Sequence, residues 1–250
     1  MENNIANKIF NRRYIATIAA AAIVSGGLVQ GLNLVGNGLS AKSGNSITVT
    51  GQAKTSAVAD NASWTLYVQE TSPTVATAVK KVESSVVKLQ AYLTEGGIPA
   101  DGIEVGGVNT QAMAEYINGN PTGRMLNYQA SRNVIVRSKD VQLVKKLSTN
   151  LGSLLQTGVN VNNYGPQYYV SNLAALRPQL LAEATKDAKI RGEAITKAVG
   201  STLGPVIAVS GGPVQVTAPD SVDTSAGGMY DTTTIPKTVT VTVSVSFKVK

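Results

Sequence analysis

The sequence predicts an α+β fold, in which an antiparallel or mixed β-sheet is packed by about three amphipathic helices and preceded by one N-terminal transmembrane helix. Three observations predict it. Several segments alternate apolar and polar side chains with the period of a half-buried strand. Other segments repeat apolar residues every three to four positions, as helices that pack on a sheet do. Ahead of them lies an uncharged apolar stretch that is long enough to cross a membrane.

The N-terminal part of the chain has the organisation of an export segment. Residues 1–13 carry three basic side chains, and residues 14–35 contain no charged one. About 20 apolar residues cross the hydrocarbon core, and basic residues stay on the cytoplasmic side. We therefore expect a basic cytoplasmic tail, a single-pass membrane anchor, and a C-terminal domain outside the cytoplasm, periplasmic or extracellular. The membrane-spanning positions include Tyr14, Ile18, Ile23, Leu28 and Val35.

The same segment also fits a cleaved signal peptide, which would leave a secreted protein. Only Gly38-Leu39-Ser40 offers small residues near a cleavage site, and it matches the usual Ala-x-Ala pattern poorly. The pair Arg12-Arg13 is similar to a twin-arginine export signal, although two adjacent arginines are common there by chance. The uncleaved anchor is the favoured interpretation, and signal cleavage is the alternative.

Composition excludes several kinds of chemistry. The chain has no cysteine and no histidine, so it has no disulfide, no thiolate metal site and no imidazole base. Its net charge of +7 is spread along the sequence, without the basic stripe and stacking rings of a nucleic-acid binder. We expect no nucleic-acid partner. We expect the positive charge to give weak attraction to anionic lipid headgroups.

The exported domain, residues 47–250, follows a polar linker at residues 36–46 and opens with a strand. A second strand then places four apolar residues on one face: Ala62, Trp64, Leu66 and Val68. Ser72 is the predicted N-cap of the helix that follows, with Pro73 at its start. The apolar stripe of this helix is Val75, Val79, Val82, Val86, Leu89 and Leu93. Packing on a sheet is favoured over a coiled coil, because the stripe covers fewer than three heptads.

A β-hairpin and two more helices are predicted next. Residues 103–116 form an irregular strand broken at Gly106-Gly107, residues 118–123 form a turn, and residues 126–136 return. A second helix, capped by Ser138 or Asp140, ends at Gly158. The third helix runs from about Asn172 to Val199, with Pro178 near its first turns, which predicts a bend or a late start.

The C-terminal part contains the clearest strand and the candidate interface. Residues 203–209 predict a short strand, and residues 211–236, rich in Gly, Pro, Ser, Thr and Asp, predict a long mobile loop. The last strand then alternates valines with a polar, uncharged face that suits another sheet edge. Together with an i,i+4 ion pair on the third helix, that face supplies the candidate interface residues: Thr240, Thr242, Ser244, Ser246, Asp187 and Arg191.

Three passages in this order resemble the SIMPL domain (DUF541), a family of exported proteins that includes periplasmic immunogenic proteins. They are Ile47 to Ala53, Tyr128 to Asp140, and Ala184 to Ala194 with its stop at Gly200. The resemblance covers the chain from residue 47 to the C-terminus. It departs from the family pattern at Gly192, where Ala is usual, and at Pro178.

The resemblance implies an α+β fold, an extracytoplasmic location and, as in some members, ring-like or channel-like homo-oligomers. Some members are linked to oxidative-stress tolerance, and the family brings no catalytic residues. We therefore hypothesise a non-enzymatic, membrane-anchored protein that self-assembles and has a structural or envelope role. The alternative is a binding module that presents residues 211–236 to a cell-envelope partner.

Catalysis without His or Cys would need a Ser-Lys dyad, paired carboxylates or an oxygen-only metal site. The possible dyads are Ser131 with Lys139, and Ser84 with Lys80 or Lys88. The best carboxylate cluster is Asp220, Asp223 and Asp231, whose spacing is too loose for an EF-hand. Solvated side chains are the favoured interpretation of both, so we predict no catalytic residue, no metal and no cofactor. We expect Trp64 and Tyr128 in the core rather than on a binding platform.

Overall fold

The computed structural model describes residues 45–250. The predicted basic tail, the predicted membrane anchor and most of the predicted linker lie outside these residues. The described chain divides into two compact units, the smaller made of residues 45–50, 188–210 and 244–250, and the larger of residues 51–187 and 211–243. No helix between residues 45 and 250 has the length and hydropathy needed to cross a bilayer.

The elements follow one another along the chain in an α+β order. They are β1 (Ser46–Val58), β2 (Asn61–Ser72), α1 (Val75–Glu95), a 3-10 turn (Ala100–Gly102), β3 (Ile103–Val105), β4 (Asn109–Ile117), β5 (Asn120–Ser138), α2 (Val141–Thr149), α3 (Gly152–Gln156), β6 (Val161–Asn163), β7 (Gln167–Tyr169), α4 (Leu173–Ala198), β8 (Leu203–Thr217) and β9 (Pro236–Val249).

Two antiparallel sheets are formed, which confirms the α+β prediction. One has three strands in the order β1-β9-β8, and the other has six, in the order β3-β5-β2-β6, with β4 paired to β5 and β7 paired to β2. Strand β2 pairs with β5 over eleven consecutive positions, from Ala62 opposite Ser138 to Ser72 opposite Tyr128. Strands β6 and β7 share the other edge of β2.

The core of the larger unit lies between β2, β5 and the apolar stripe of α1. The four predicted inward residues of β2 are all buried, and Trp64 is completely so. Its indole Nε1 donates to Asn163 Oδ1 at 2.8 Å, so the one polar atom of the ring is satisfied. Tyr128 is half-buried and packs against this core. The prediction that both aromatic residues belong to the core is confirmed.

Helix α1 starts two residues later than predicted. Ser72 is the last residue of β2, where it pairs with Tyr128, so it cannot act as the cap. Thr74 is the N-cap, and its Oγ1 accepts from Thr77 N at 3.3 Å. Because the helix begins at Val75, the buried stripe begins at Ala78, and Val75 is 41% exposed.

The second predicted helix is two helices. Asp140 is the N-cap of α2, and its Oδ1 accepts from Leu143 N at 2.9 Å. Helix α2 ends at Thr149, and α3 begins at Gly152 and ends at Gln156, two residues before Gly158, whose φ is 85°. A left-handed residue after the last turn favours glycine, which explains the predicted stop.

Helix α4 begins at Leu173, so a late start caused by Pro178 is wrong. A proline removes one N–H and crowds the carbonyl four residues earlier. Here that carbonyl belongs to the first turn, and the helix continues past it to Ala198.

The departure from the family pattern at Gly192 has a packing reason inside the smaller unit. A Cβ at this position would lie 3.1 Å from Leu203 Cδ1 and 3.6 Å from Phe247 Cε2. Phe247 is almost fully buried. The absent methyl group therefore lets strands β8 and β9 approach this turn of α4.

The predicted loop at residues 211–236 is wrong over its first part. Residues 211–217 belong to β8, and Gln215, Val216 and Thr217 are buried. Residues 229–235 lie outside the strands but are hydrogen-bonded to other segments of the fold. Asp231 N donates to Val216 O at 2.7 Å, and Ala59 N donates to Ile235 O at 2.9 Å. Backbone partners distant in sequence carry no signal in local composition, so the segment resembled a loop.

A glycine pair tests the packing of the 3-10 turn. A Cβ added at Gly102 would lie 2.7 Å from Arg137 O, a backbone atom of β5, whereas a Cβ at Gly107 would meet nothing within 4 Å. We expect Gly102→Ala to lower the free energy of unfolding by about 1 to 3 kcal/mol. Gly107→Ala is the matched control and should change it by less than about 1 kcal/mol. Urea unfolding followed by circular dichroism measures both, and equal stabilities would contradict this account.

Candidate functional site

A β-hairpin arm extends the six-stranded sheet beyond the part that is covered by helices. We define the arm as residues 109–127, which comprise β4, its turn and the first part of β5. The turn is Asn118-Gly119, with φ values of 52° and 80°. Two consecutive left-handed residues of the type Asn-Gly are typical of a tight hairpin turn. The predicted hairpin is therefore confirmed, with a shorter turn than expected.

Large apolar side chains on the arm are exposed on both of its faces. Five of them are between 43% and 64% exposed: Met113, Tyr116, Ile117, Met125 and Leu126. The same strand β5 buries Ala130, Val134 and Val136 completely once it pairs with β2. Exposed apolar side chains that lie close together mark interaction surfaces in soluble domains.

Both backbone edges of the arm are open within the described residues. Strand β4 pairs there only with β5, and residues 120–127 of β5 pair only with β4, since pairing with β2 starts at Tyr128. Open edges are usually protected by lysine or proline. Strand β4 contains neither, and its one charged residue is Glu115, whereas the β5 edge of the arm carries Pro121 and Arg124, so the β4 edge is the less protected one. An isolated two-stranded hairpin is only marginally stable in water, so the arm is suited to association.

The predicted interface strand occupies a different place from the one expected. Strand β9 is the central strand of its sheet, so both of its edges are paired and it cannot extend another sheet edge. Thr240 is buried, and Thr242 is half-buried. In the smaller unit the hydroxyl of Ser246 lies 2.8 Å from that of Thr48, and the hydroxyl of Ser244 lies 3.2 Å from that of Thr50. The role of this hydroxyl face as an interface stays a prediction.

Asp187 has an intrachain role in the larger unit. Its Oδ2 accepts from Gln52 N at 2.8 Å, and Gln52 lies on β1, an edge strand of the three-stranded sheet. A helix side chain thereby covers one backbone donor of that edge. Arg191 is exposed on α4. Contact of either residue with a second molecule stays a prediction.

The considered Ser-Lys dyads do not assemble. Ser131 lies seven residues before the end of β5, and a strand rises about 3.3 Å per residue, so roughly 23 Å separate it from the end next to Lys139. On α1, Ser84, Lys80 and Lys88 are all exposed. The ammonium group of Lys88 donates to Thr157 O at 3.1 Å. A nucleophile needs a base within hydrogen-bond distance and shielding from water, and neither pair has both.

Asp231 is the centre of a closed polar turn instead of a calcium site. Its carboxylate accepts from the backbone N and the hydroxyl of both Thr233 and Thr234. Lys237, whose side chain is fully buried, donates through Nζ to Asp231 Oδ2 at 3.0 Å and to Asp231 O. Asp220 and Asp223 are exposed. No group of three possible His, Cys, Asp or Glu ligands occurs within residues 45–250.

The hydrogen bonds at this turn decide the charge of Asp231. Burial by itself raises the pKa of its carboxyl group, but the donors of Thr234, Thr233 and Lys237 outweigh burial. They hold the pKa of Asp231 well below its usual range. Asp231 is therefore ionised, and its carboxylate is the counter-charge in contact with the buried side chain of Lys237.

The comparison with protein families identifies the chain. The family model named SIMPL, described as a protein of unknown function (DUF541), matches residues 47–249. The chain belongs to the SIMPL family. No curated protein sequence matches this SIMPL protein. A similar solved structure is the crystal structure of an uncharacterized conserved protein from Listeria innocua. It is 9% identical, the match covers 79% of this chain and 92% of that chain, and the TM-score is 0.19, which supports no structural conclusion.

Sequence reasoning missed two features of this SIMPL domain, the exposed arm and the buried charge pair. The arm has the same mixture of apolar and polar residues as a hairpin that faces the core. Its exposure becomes visible only in the structure, where no helix of the described chain covers it. Asp231 lies in a turn and Lys237 lies six residues later on β9, and no periodicity marks such a pair. A signal that could have been used is Asp-x-Thr-Thr at 231–234, since threonines after Asp commonly close such turns.

Removing Asp231 and removing Lys237 should lower the folding stability by different amounts. Asp231→Ala leaves the Lys237 ammonium buried without its counter-charge, which should cost about 3 to 5 kcal/mol of stability. Lys237→Met should cost less, because four hydrogen bonds from threonines still satisfy the carboxylate. Asp220→Ala, at an exposed position of the same segment, is the control and should be nearly neutral. Chemical denaturation measures all three, and a larger loss for Lys237→Met would contradict the assignment.

Asp231 should also make the SIMPL domain sensitive to acid. Its pKa is lower in the folded state than the unfolded value of about 4. The contribution of Asp231 to folding stability is therefore complete above about pH 5. It is lost as the pH falls through the pKa of the unfolded state toward the lower pKa of the folded state. Melting temperatures measured between about pH 5 and pH 2 should fall less in Asp231→Asn than in the unmodified protein. The pKa of Asp60 is also lowered, by hydrogen bonds from Ser171, but Asp60 is present in both proteins. Parallel curves would show that Asp231 does not control the acid response.

Proposed function

We propose that this SIMPL protein is a non-enzymatic, membrane-anchored protein whose domain lies outside the cytoplasm and self-assembles into a closed, ring-like or channel-like homo-oligomer. We place its role in the structure or stress response of the cell envelope. The observation that carries the proposal is the arm at residues 109–127, with five exposed large apolar side chains and two open backbone edges.

A second copy of the chain is the occupant that the arm suits best. Open edges accept another strand through backbone hydrogen bonds, which need no particular side chains from the partner. Every copy of this chain offers the same edges and the same apolar faces. Identical subunits usually close their contacts by cyclic or dihedral symmetry, because an open series of contacts grows into a fibre. The proposal is therefore a closed oligomer.

The non-enzymatic part of the proposal rests on chemistry. Neither considered Ser-Lys pair is placed for catalysis, and the carboxylate of Asp231 is engaged by five side-chain and backbone donors. The anchored part rests on the sequence of residues 14–35. If this helix is retained, each subunit of a ring contributes one membrane span, and all spans must leave the same face of the assembly.

A second candidate function is supported by one residue. Val222, in the segment between β8 and β9, is 92% exposed. An apolar side chain held so far into solvent fits the alternative in which this segment contacts a cell-envelope partner. The contact region would be limited to residues 218–228, since the flanking residues are buried in β8 or hydrogen-bonded to it.

Light scattering on the full-length protein in detergent tests self-assembly. We expect a single oligomer, and we expect the double variant Ile117→Lys, Leu126→Lys to shift it to the monomer, because charges at the arm oppose apolar contact. Val222→Lys is the matched control, with the same chemistry at an exposed position outside the arm. All variants should remain folded, since none of these side chains is in the core. The melting temperature of the double variant should fall only by the stabilisation that assembly provides.

The two possible failures are distinct. A monomeric wild-type protein at micromolar concentration would refute self-assembly. An oligomer that persists in the double variant would refute the arm as its interface. Intact mass of the purified protein decides the anchored part, since a species that begins after Gly38 would show that the segment is cleaved.

A further inference from the structure

A second surface of the larger unit forms a cleft with a different chemistry from the arm. It lies on the face of β2 opposite the core and has a volume of about 310 Å³. Ligand pockets start at about this volume. We name it the tyrosine cleft, and the residues that define it are Ser63, Thr65, Tyr67, Tyr164, Gln167 and Thr232. The cleft shares no residue with the arm.

The first wall of the cleft is attached to the core through Asn163. The Oδ1 atom of Asn163 accepts from Trp64 Nε1 at 2.8 Å and from Gly165 N at 2.9 Å. Gly165 itself has a φ of 83°, which favours glycine at this tight turn. The segment that carries Tyr164 is therefore held by a side chain that also satisfies the most deeply buried aromatic residue.

The second wall is held by the polar turn. Thr232 follows Asp231 directly, and Thr232 O accepts from Tyr168 N at 2.8 Å. The carboxylate of Asp231 fixes the following threonines, as described above. Both walls are thus positioned by hydrogen bonds to the folded core before any ligand arrives, which lowers the entropic cost of binding.

The lining carries hydroxyl groups and no ionised side chain. The hydroxyls of Ser63, Thr65, Tyr67, Tyr164 and Thr232 make no hydrogen bond to another residue of the described chain. Gln167 Oε1 accepts from Tyr169 OH at 2.7 Å, so its amide nitrogen is the remaining donor of that side chain. An anionic ligand would lack a cation here, and an apolar ligand would bury these hydroxyls without partners at a cost of about 1 to 3 kcal/mol each.

Two aromatic rings complete the site. Tyr67 and Tyr164 meet edge to face, with centroids 6.1 Å apart and an interplanar angle of 77°. Tyr164 is 82% exposed, although the residues on either side of it are hydrogen-bonded into the fold. Tyrosine presents an apolar face and a polar tip to the same ligand. A sugar ring has the matching surfaces, with C–H groups on its faces and hydroxyls at its rim.

We propose that the tyrosine cleft binds a neutral saccharide, with Tyr164 and Tyr67 in contact with the sugar ring and the surrounding hydroxyls and Gln167 in hydrogen bonds to its rim. The segment is ordered by the core and not by the ligand. Binding therefore leaves the backbone unchanged and adds only side-chain contacts at the cleft.

Saturation-transfer NMR tests the proposal on the full-length protein in a detergent without a sugar headgroup. The probes are maltose, cellobiose and N,N′-diacetylchitobiose, each at about 10 mM, a concentration that detects millimolar affinity. We expect transfer to at least one probe. Tyr164→Ala should weaken that binding by about tenfold or more, and Tyr164→Phe should weaken it less, because the ring remains.

Val87→Ala is the control, since Val87 is an exposed side chain of α1 that lies outside both the cleft and the arm, and its truncation should leave binding unchanged. Circular dichroism should show that all three variants are folded. No transfer to any of the three probes would overturn the proposal. So would binding that survives Tyr164→Ala.

Discussion

The burial of one face of β2 is the constraint on which the larger unit depends. Trp64, Leu66 and Val68 are completely buried under α1, and each such side chain contributes about 1.5 to 3 kcal/mol when it leaves water. Because side chains alternate along a strand, fixing this face also fixes the other one. Strand β5 pairs along one edge of β2, and β6 and β7 pair along the other, so β2 positions the arm and both walls of the tyrosine cleft.

Polar side chains in the interior act as connectors between segments that are distant in sequence. Asn163 links the indole of Trp64 to the turn at Gly165, and Lys237 holds Asp231 and the threonines after it. A buried charge pair adds little net stability, but it requires one arrangement of the chain around it. In this protein that arrangement brings Thr232 to the cleft. The same hydrogen bonds therefore order the segment and shape the surface.

The two proposed surfaces differ in what they can bind because they differ in how they are built. The arm has no layer above either face, so its apolar residues remain exposed and its backbone edges remain open within the described residues. The tyrosine cleft is backed by the core and lined by hydroxyls. A surface of the first kind suits another protein chain, and one of the second kind suits a small polar molecule.

Local sequence determined the elements whose signal is periodic. The alternation at Trp64, Leu66 and Val68, the stripe of α1 and the Asn-Gly turn of the arm all follow from the geometry of a single strand, helix or turn. The order of three passages also predicted the SIMPL family. Composition alone was enough to exclude thiolate and imidazole chemistry.

Tertiary structure decided everything that depends on which segments become neighbours. Ser72 gave up its predicted cap role because β5 extends the ladder to it, and residues 211–217 became part of β8 because β9 provides their backbone partners. The Thr and Ser face of β9 resembled an edge strand, yet β9 is central, since nothing in one strand records how many others pair with it. The exposure of the arm and the convergence of Tyr67, Tyr164 and Thr232 have the same origin. The three cleft residues are about 70 to 170 positions apart in the sequence, and patterns of a few residues cannot encode which distant segments meet.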